Sequence, residues 1–281
     1  MATDRDLLPV GVGADPPADV LRRRTDGSRS VFITGASSGL GAALVRHYAA
    51  QGANVGLFAR RRAALAAVAA ALPADRVMTH AGDVCDPAAL NRAAGDFIAR
   101  FGAPDIVIAN AGVSLGALTE HAEDLPTFRT VFDTNIIGMV HTFHPFLGAM
   151  RAAARGTLVG IASVAGFRGL AGSGAYSASK AAAIAYLESL RLEQRGTGVA
   201  VVTICPGYIA TPMTEPNPYR MPFLLDADKA ARLVARAIER RKRYYVLPWQ
   251  MAIVGRVLRA LPRPVYDAVF ARAPRKPRHA N

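Results

Sequence analysis

Cysteine is scarce in this sequence of 281 residues and occurs only as Cys85 and Cys205. Two cysteines are too few for a disulfide framework, and these two are not spaced as a redox or zinc pair. We therefore expect two buried thiols. His141 and His144 are three residues apart, a spacing that can bind metal, but no third ligand accompanies them and no metal site is predicted.

Long apolar runs are also missing. No stretch approaches the roughly 18 consecutive apolar residues of a membrane-spanning helix, and residues 1–27 carry Asp and Pro where a secretory signal needs an apolar core. Hydrophobic residues still make up 51% of the chain, and the mean hydropathy is +0.18. The composition therefore predicts a globular cytoplasmic protein with one sizeable core.

Acidic residues are nearly absent from the C-terminal part of the chain. Residues 229–281 contain 2 Asp and Glu against 14 Lys and Arg, whereas residues 1–228 contain 19 against 20. The net charge of +13 therefore arises almost entirely in this last part. Because no recognised nucleic-acid-binding motif accompanies the basic residues, we predict no nucleic-acid partner.

From Ser30 onward, short apolar runs alternate with Ala-rich stretches of helical period. This alternation predicts a Rossmann-type α/β fold, a doubly wound parallel sheet of about seven strands between two layers of helices. The predicted strands are Ser30–Thr34, Asn54–Phe58, Arg76–His80, Ile106–Ala109, Thr157–Ile161, Val199–Cys205 and Tyr244–Leu247. The predicted helices are Gly41–Gln51, Arg61–Ala71, Pro87–Phe101, Thr127–Ala153, Tyr176–Gln194 and Ala227–Arg240.

The predicted organisation is one domain with two extensions. Residues 1–29 are rich in Pro, Asp and Arg without a sustained period and are predicted to form a flexible leader. The domain spans residues 30–248 and includes a lid at about 207–226, which is rich in Pro and apolar residues. Residues 249–281 form a basic, amphipathic extension.

A glycine-rich loop follows the first predicted strand and precedes a helix. It reads Thr34-Gly35-Ala36-Ser37-Ser38-Gly39-Leu40-Gly41. Gly35 permits a tight turn, Gly39 lets a pyrophosphate approach the backbone amides, and Gly41 lets the helix pack close to the strand. The spacing is TGxxxGxG rather than the GxGxxG of other dinucleotide folds, so an ordinary strand-to-helix turn is the alternative.

No acidic residue follows the second predicted strand, where NAD-binding domains place a carboxylate to hold the ribose hydroxyls. The segment there reads Phe58-Ala59-Arg60-Arg61-Arg62. Guanidinium groups can clamp a 2′-phosphate through paired hydrogen bonds, which favours NADP(H) over NAD(H). The alternative is a solvated helix start, although cations are unfavourable at that end of a helix.

Tyr176 and Lys180 are four residues apart at the start of a long predicted helix, so their side chains share one helix face. Because a fixed cation favours phenolate, we expect Lys180 to lower the pKa of Tyr176 towards working pH. Ser163 follows the fifth strand and would hold a carbonyl oxygen as negative charge develops on it. A surface tyrosine beside a surface lysine is the alternative.

Over about residues 30–247, these motifs resemble the short-chain dehydrogenase/reductase (SDR) family, in the family's own order. The resemblance rests on the glycine loop Thr34–Gly41, Asp83-Val84, Asn110-Ala111-Gly112-Val113, Asn135, Ser163, Tyr176, Lys180, Pro206-Gly207 and Thr211. It implies an NADP(H)-dependent carbonyl reductase of class EC 1.1.1.-, in which Asn135, Ser163, Tyr176 and Lys180 are catalytic. It also implies a homodimer or homotetramer.

The resemblance implies a cofactor site as well. Its residues are Thr34, Gly35, Ser37, Ser38, Gly39, Leu40, Gly41, Arg60, Arg61, Asp83, Val84, Asn110, Ala111, Gly112, Tyr176, Lys180, Pro206, Gly207, Ile209 and Thr211. By the same resemblance, Lys180 also grips the nicotinamide ribose, and Asn135 positions a water between Lys180 and solvent. NADP-preferring members often carry a basic residue inside the glycine loop, but Ser37 and Ser38 occupy that place. Selectivity would therefore rest on Arg60 and Arg61.

The predicted substrate pocket is overwhelmingly apolar. Its walls are Val113–Leu115, Val164–Ala171, Tyr208–Met213 and Met221–Leu225, with Ser114, Val164, Leu170, Tyr208 and Met213 as candidate contacts. Arg168 is the main charged exception, and no cluster that would bind an acid is evident. The pocket therefore favours a hydrophobic, lipid-like ketone or aldehyde.

The run Met251–Leu261 has apolar residues at helical spacing with arginines between them. It resembles an interfacial helix, which would hold a cytoplasmic protein peripherally at the inner surface of a membrane. The alternative is a C-terminal helix that covers the substrate cleft or forms a subunit contact.

Two functions other than catalysis are compatible with this sequence. One is a non-catalytic sensor or scaffold that binds NADP(H), and the other is a membrane-surface protein that acts through its basic tail. The presence of Ser163, Tyr176 and Lys180 together favours an enzyme.

Overall fold

The computed structural model of the protein describes residues 28–217, 219–272 and 275–278. Apart from Ser28 and Arg29, the predicted leader at residues 1–29 lies outside the described residues. The rest form a parallel sheet between two layers of helices, so the predicted fold class is confirmed.

The sheet has the order β3-β2-β1-β4-β5-β6-β7, and all neighbouring strands are parallel. Its strands are β1 (Ser30–Thr34), β2 (Asn54–Ala59), β3 (Val77–Ala81), β4 (Ile106–Ala109), β5 (Gly156–Ile161), β6 (Val199–Pro206) and β7 (Tyr244–Leu247). The predicted ends differ from these by at most one residue. Every residue of β1, β2, β4 and β5 is buried, as expected for a sheet covered on both faces.

The helices of the described residues are α1 (Gly39–Ala50), α2 (Arg62–Ala69), α3 (Pro87–Phe101), α4 (Leu125–Phe132), α5 (Gly138–Ala152), α6 (Gly174–Glu193), α7 (Ala227–Glu239), α8 (Trp249–Ala260) and α9 (Arg263–Phe270). The apolar cores of the two faces are separate: α1, α2 and α7 cover one face, and α3, α5 and α6 cover the other. Strand order reverses between β1 and β4, which is where open α/β sheets leave a crevice.

The prediction of one uninterrupted helix over Thr127–Ala153 is wrong, because the helix is interrupted near its middle. The chain makes a π-helical turn at Asp133–Ile137, between α4 and α5. Asn135 lies in this turn, and its side chain is hydrogen-bonded to the backbone of Val113 and to Ser179. The π-helical turn therefore carries long-range hydrogen bonds. Turns of this kind often mark functional sites.

The prediction of two buried thiols is also wrong for Cys85, which is exposed, while Cys205 is buried. Cys85 lies in the turn between β3 and α3, and its backbone amide donates a hydrogen bond to Asp83 Oδ1 at 2.9 Å. The turn holds the residue at the surface.

The amphipathic run after Trp249 forms α8, and a further helix, α9, follows it without having been predicted. Trp249, Ile253 and Val257 form an exposed apolar stripe along α8. Across the part of the chain that the structure describes, none of the helices is both long and apolar enough to cross a membrane.

Candidate active site

The segments that follow β1, β2, β3, β4, β5 and β6 border one cleft along the carboxyl edge of the sheet. The cleft is lined by Gly35, Ser37, Ser38, Gly39, Leu40, Ala59, Arg60, Arg61, Gly82, Asp83, Val84, Asn110, Ala111, Gly112, Val113, Thr134, Ile161, Ala162, Ser163, Tyr176, Lys180, Pro206, Gly207, Ile209, Thr211, Pro212, Met213 and Thr214. Every predicted cofactor residue except Thr34 and Gly41 lines it. The structure therefore brings together residues that are up to about 180 positions apart in sequence.

The glycine loop presents a helix N-terminus to this cleft. Gly35 and Gly39 have backbone φ angles of +66° and +54°, a left-handed conformation that favours glycine. α1 begins at Gly39, its N-cap residue Ser38 makes no side-chain capping bond, and its first turn has no acidic residue. The first amides of α1 therefore remain available to an anion, which fits the pyrophosphate of a dinucleotide.

Thr34 and Gly41 lie behind the loop, and Asn110 connects the loop to the end of β4. The Asn110 Nδ2 atom donates to the carbonyl oxygens of Thr34 at 3.1 Å and Gly35 at 3.2 Å. The Asn110 backbone amide donates to Thr34 Oγ1 at 3.2 Å. These bonds fix the loop that borders the cleft.

Gly41 gives a test of this arrangement. A methyl group at position 41 would overlap the Gly35 carbonyl oxygen and lie 2.6 Å from Asn110 Nδ2. We expect Gly41→Ala to lower the free energy of unfolding by about 1–3 kcal/mol, as overpacking usually does, and to weaken dinucleotide binding. Urea unfolding and NADPH titration measure the two effects.

Gly95→Ala is the matched control, because Gly95 lies in α3 with nothing within 4 Å of an added methyl group. It should stabilise the protein by up to about 1 kcal/mol through helix propensity. Equal urea midpoints for Gly41→Ala and the wild type would contradict the tight packing of loop and helix.

Arg60 and Arg61 line the cleft just beyond the end of β2. Arg61 Nη2 lies 3.0 Å from Ser38 Oγ and 3.5 Å from Ser37 Oγ. Arg60 Nη1 lies 3.8 Å from Asp83 Oδ2. Within the described residues no carboxylate pairs with Arg61, so two serine hydroxyls and an uncompensated guanidinium converge there. This donor set suits a phosphate group.

Ser163, Tyr176 and Lys180 meet at the opposite end of the cleft. Ser163 lies just beyond β5, where its Oγ accepts from the Ala165 amide at 3.1 Å and donates to the Pro206 carbonyl at 3.4 Å. Tyr176 lies in the first turn of α6. One turn later, Lys180 Nζ donates to the Ile161 carbonyl at 2.8 Å and lies 5.8 Å from the centroid of the Tyr176 ring.

The expectation that Lys180 lowers the pKa of Tyr176 is wrong. Burial raises the pKa of Tyr176, opposed by its hydrogen bond with Ser163 and reinforced by Tyr208. Burial also lowers the pKa of Lys180 to about 8. The ammonium is bound to the Ile161 carbonyl rather than to the phenol, so the phenol stays protonated at neutral pH.

Asn135 does not line the cleft but lies behind it. Its Nδ2 atom donates to the Val113 carbonyl at 3.0 Å and to Ser179 Oγ at 2.9 Å, and its Oδ1 atom accepts from the Val113 amide at 2.8 Å. Ser179 Oγ donates in turn to the Tyr176 carbonyl at 2.8 Å. Asn135 thus connects the loop after β4 to the helix that carries Tyr176 and Lys180.

Of the predicted substrate contacts, Met213 lines the cleft, whereas Ser114, Val164, Leu170 and Tyr208 lie outside its lining. Tyr208 is nevertheless close enough to raise the pKa of Tyr176, and its ring centroid lies 6.5 Å from that of Tyr219.

Sequence reasoning missed several residues around the cleft. Tyr219 lies inside the predicted lid, where an aromatic residue was the available signal. The missed residues of the cleft lining itself are Ala59, Gly82, Thr134, Ile161, Ala162 and Thr214. They are small or apolar residues that no motif distinguishes from core positions.

Arg168 was predicted as the charged residue of the pocket wall, but the structure places it against the C-terminal segment. Its guanidinium lies 4.1 Å from the centroid of the Tyr266 ring and donates to the Leu261 carbonyl at 3.3 Å. The Tyr266 hydroxyl donates to the Gly169 carbonyl at 2.6 Å. These contacts favour the interpretation of the C-terminal segment as a cover over the loops beside the cleft.

Comparison with known proteins agrees with this geometry. A family described as "short chain dehydrogenase" matches residues 29–220, which is more than half of the chain. An uncharacterized oxidoreductase of Myxococcus xanthus is 39% identical over 254 residues, covering 87% of this chain and 97% of that protein.

Solved structures share the fold. A short-chain dehydrogenase/reductase from Burkholderia phymatum in complex with NAD has a TM-score of 0.74 and 25% identity, covering 90% of this chain and 98% of its own. A single-residue variant of actinorhodin polyketide ketoreductase with NADPH has a TM-score of 0.69 and 25% identity, covering 77% of this chain and 92% of its own. Both nicotinamide cofactors therefore occur among similar structures.

Proposed function

Because the chain belongs to the short-chain dehydrogenase family, we propose that it is an NADP(H)-dependent oxidoreductase that interconverts a carbonyl and an alcohol. The convergence of Ser163, Tyr176 and Lys180 in a cleft that also contains the glycine loop carries this proposal. One end of the cleft has donors for phosphates, and the other has a proton donor.

The preference for NADP(H) over NAD(H) rests on Arg60, Arg61, Ser37 and Ser38, because similar structures contain either cofactor. These four residues would hold the 2′-phosphate, while the N-terminus of α1 would hold the pyrophosphate. By family resemblance, Asp83 and Val84 would flank the adenine, Lys180 would bind the nicotinamide ribose, and Thr211 would contact the carboxamide. When bound, NADPH would supply the hydride.

We propose reduction as the working direction, with the neutral phenol of Tyr176 as the proton donor. Burial favours the neutral phenol, which can donate a proton to the carbonyl oxygen as negative charge develops there. The Ser163 hydroxyl lies close enough to the phenol to oppose the rise of its pKa, and it can donate to the same oxygen. The Lys180 ammonium is held by the Ile161 carbonyl, 5.8 Å from the centroid of the Tyr176 ring, where it would bind the nicotinamide ribose.

Cofactor binding is expected to weaken as pH rises through the pKa of Lys180. Burial lowers this pKa to about 8, so Lys180 is mostly charged at pH 7 and mostly neutral at pH 9. If the charged form binds the nicotinamide ribose, the Kd for NADPH should rise about tenfold between these pH values. NADPH fluorescence titrations at the two pH values measure it.

Two variants assign this effect to Lys180. In Tyr176→Phe the pH dependence should persist, since the phenol does not titrate in this range. In Lys180→Met it should disappear, with weak binding at both pH values. A Kd for wild-type protein that is the same at pH 7 and pH 9 would refute the assigned role.

A panel of carbonyl compounds tests the proposed function itself. NADPH oxidation is followed with aliphatic, steroid-like and 3-keto acyl carbonyls, and the apolar residue Met213 in the cleft favours hydrophobic members. Turnover of at least one hydrophobic ketone or aldehyde is the expected result. Tight NADPH binding without turnover of any compound would instead favour the sensor or scaffold.

The quaternary structure and the membrane contact stay predictions. The exposed stripe of Trp249, Ile253 and Val257 on α8 suits either a subunit contact or an interfacial position. Assembly as a homodimer or homotetramer and a cytoplasmic or peripheral location accordingly remain proposals.

A further inference from the structure

The C-terminal strap, residues 275–278, crosses two loops next to the catalytic end of the cleft. One loop follows Gly112, and the other follows Ser163. Gly116 pairs with Arg278 in a parallel bridge, and a methyl group at Gly116 would overlap the Pro277 carbonyl oxygen. A methyl group at Gly172 would lie 2.9 Å from the Lys276 carbonyl oxygen. The strap backbone therefore lies directly on both loops.

Arg278 fixes the strap through two acidic residues ahead of α4. Its Nε and Nη2 atoms lie 2.9 Å and 3.0 Å from the two carboxylate oxygens of Asp124, and Nη2 lies 2.8 Å from Glu123 Oε1. Asp124 is only 2% exposed and also accepts from the Leu118 amide at 2.8 Å. A bidentate pair of this kind is geometrically specific, so it sets the position of the whole strap.

Lys276 has no such partner in the described part of the chain. Its Nζ atom donates to Ser114 Oγ at 2.6 Å, and no carboxylate among the described residues lies within ion-pairing distance. The residue is half-buried, and burial lowers the pKa of its ammonium. An ammonium group has three donors, and a partly desolvated cation without an anion is unfavourable. A bound anion would supply the missing charge.

Resting on the proposed function, we infer that Lys276 and Ser114 form a substrate subsite for an anionic group, a carboxylate or a phosphate. Ser114 is separated from Gly112 by at most about 7 Å of chain, and a Cβ at Gly112 would lie 3.6 Å from Lys180 Nζ. The subsite thus lies on the loop that passes Lys180 at Gly112, just outside the lining of the cleft. The substrate has an apolar body, as the sequence predicts, and a charged end, which the sequence does not.

Straight-chain methyl ketones that end in a carboxylate, its methyl ester or a phosphate test the subsite. The chain length between ketone and end group is varied, and kcat/KM is measured with NADPH. We expect one or more lengths at which an anionic ketone exceeds the ester at least tenfold. Lys276→Gln should remove this preference while changing kcat/KM for the ester less than twofold. The carboxylate and phosphate series show which anion the subsite takes.

Arg275→Gln is the matched control, since it removes one positive charge from an exposed side chain of the same strap and should keep the preference. Equal kcat/KM for anionic and ester ketones in the wild type would overturn the subsite. An equal loss on both series in Lys276→Gln would also overturn it, by showing a packing role.

A second readout separates this inference from the proposed function. Thermal shifts of the NADPH-loaded protein with each ketone report binding without turnover. A shift specific to anionic ketones that Lys276→Gln abolishes supports the subsite, even if no ketone is reduced and the proposed function fails. Reduction of ketones without any anion preference in rate or thermal shift overturns the subsite and leaves the function intact.

Discussion

Replacing Tyr176 with phenylalanine is expected to lower kcat for carbonyl reduction by about 10³-fold, within the range for loss of a general acid. Tyr176 lines the cleft, and burial keeps its phenol protonated by raising its pKa. The substitution removes the transferable proton and leaves the ring in place. Initial rates at saturating NADPH and ketone measure the effect on kcat.

Two controls show that a fall in kcat comes from the loss of the proton donor and not from weaker cofactor binding or altered packing. The Kd for NADPH should change less than threefold, since the glycine loop and the arginines are untouched. Tyr186→Phe removes a phenol from the same helix, outside the cleft lining, and should keep the wild-type rate. If Tyr176→Phe retains more than half of the wild-type kcat, Tyr176 is not the proton donor.

Local patterns in the sequence predicted the fold and the position of most site residues. The glycine loop lies within eight consecutive residues between a strand and a helix, and Tyr176 and Lys180 share one turn of α6. Such features depend on backbone periodicity and on chain direction at the edge of a parallel sheet. Both are readable without tertiary contacts, so the cleft could be assembled from sequence alone.

The electrostatics of the same residues could not be predicted this way. The spacing of Tyr176 and Lys180 places them together, but their pKa values depend on burial and on partners from other elements. Lys180 is bound to a carbonyl at the end of β5, and the pKa of Tyr176 is raised by burial and by Tyr208 and lowered by Ser163. Desolvation shifts the pKa of each group separately. This effect exceeds the attraction between phenolate and ammonium that the prediction from sequence assumed.

The basic C-terminal part shows a second limit. Its excess of cations suggested an external anionic surface, yet Arg278 pairs with Glu123 and Asp124 of the domain itself. The contacts of Lys276 with Ser114 and of Arg278 with Asp124 join residues more than 150 positions apart. No local period reports contacts at that separation, and only the fold reveals that part of the charge is used internally.

Arg61→Ala is expected to shift cofactor preference from NADPH towards NADH. A hydrogen bond to a charged group contributes about 1.5–3 kcal/mol, which corresponds to about 10- to 150-fold in kcat/KM. Arg61 lies against Ser37 and Ser38 with no carboxylate partner among the described residues, so a 2′-phosphate would be its main ligand. The kcat/KM for NADPH should therefore fall by this factor, while that for NADH should change little.

Arg62→Ala is the matched control, because Arg62 is exposed, begins α2 and does not line the cleft. Arg62→Ala should leave the ratio of NADPH to NADH activity unchanged. Arg60→Ala should lower this ratio, but by less than Arg61→Ala does, because Asp83 already offsets part of the Arg60 charge. A parallel fall with both cofactors in Arg61→Ala would show a general effect on the cleft. If Arg61→Ala leaves the ratio unchanged, the arginines only form a solvated helix start. A clamp on the 2′-phosphate must discriminate between the two cofactors.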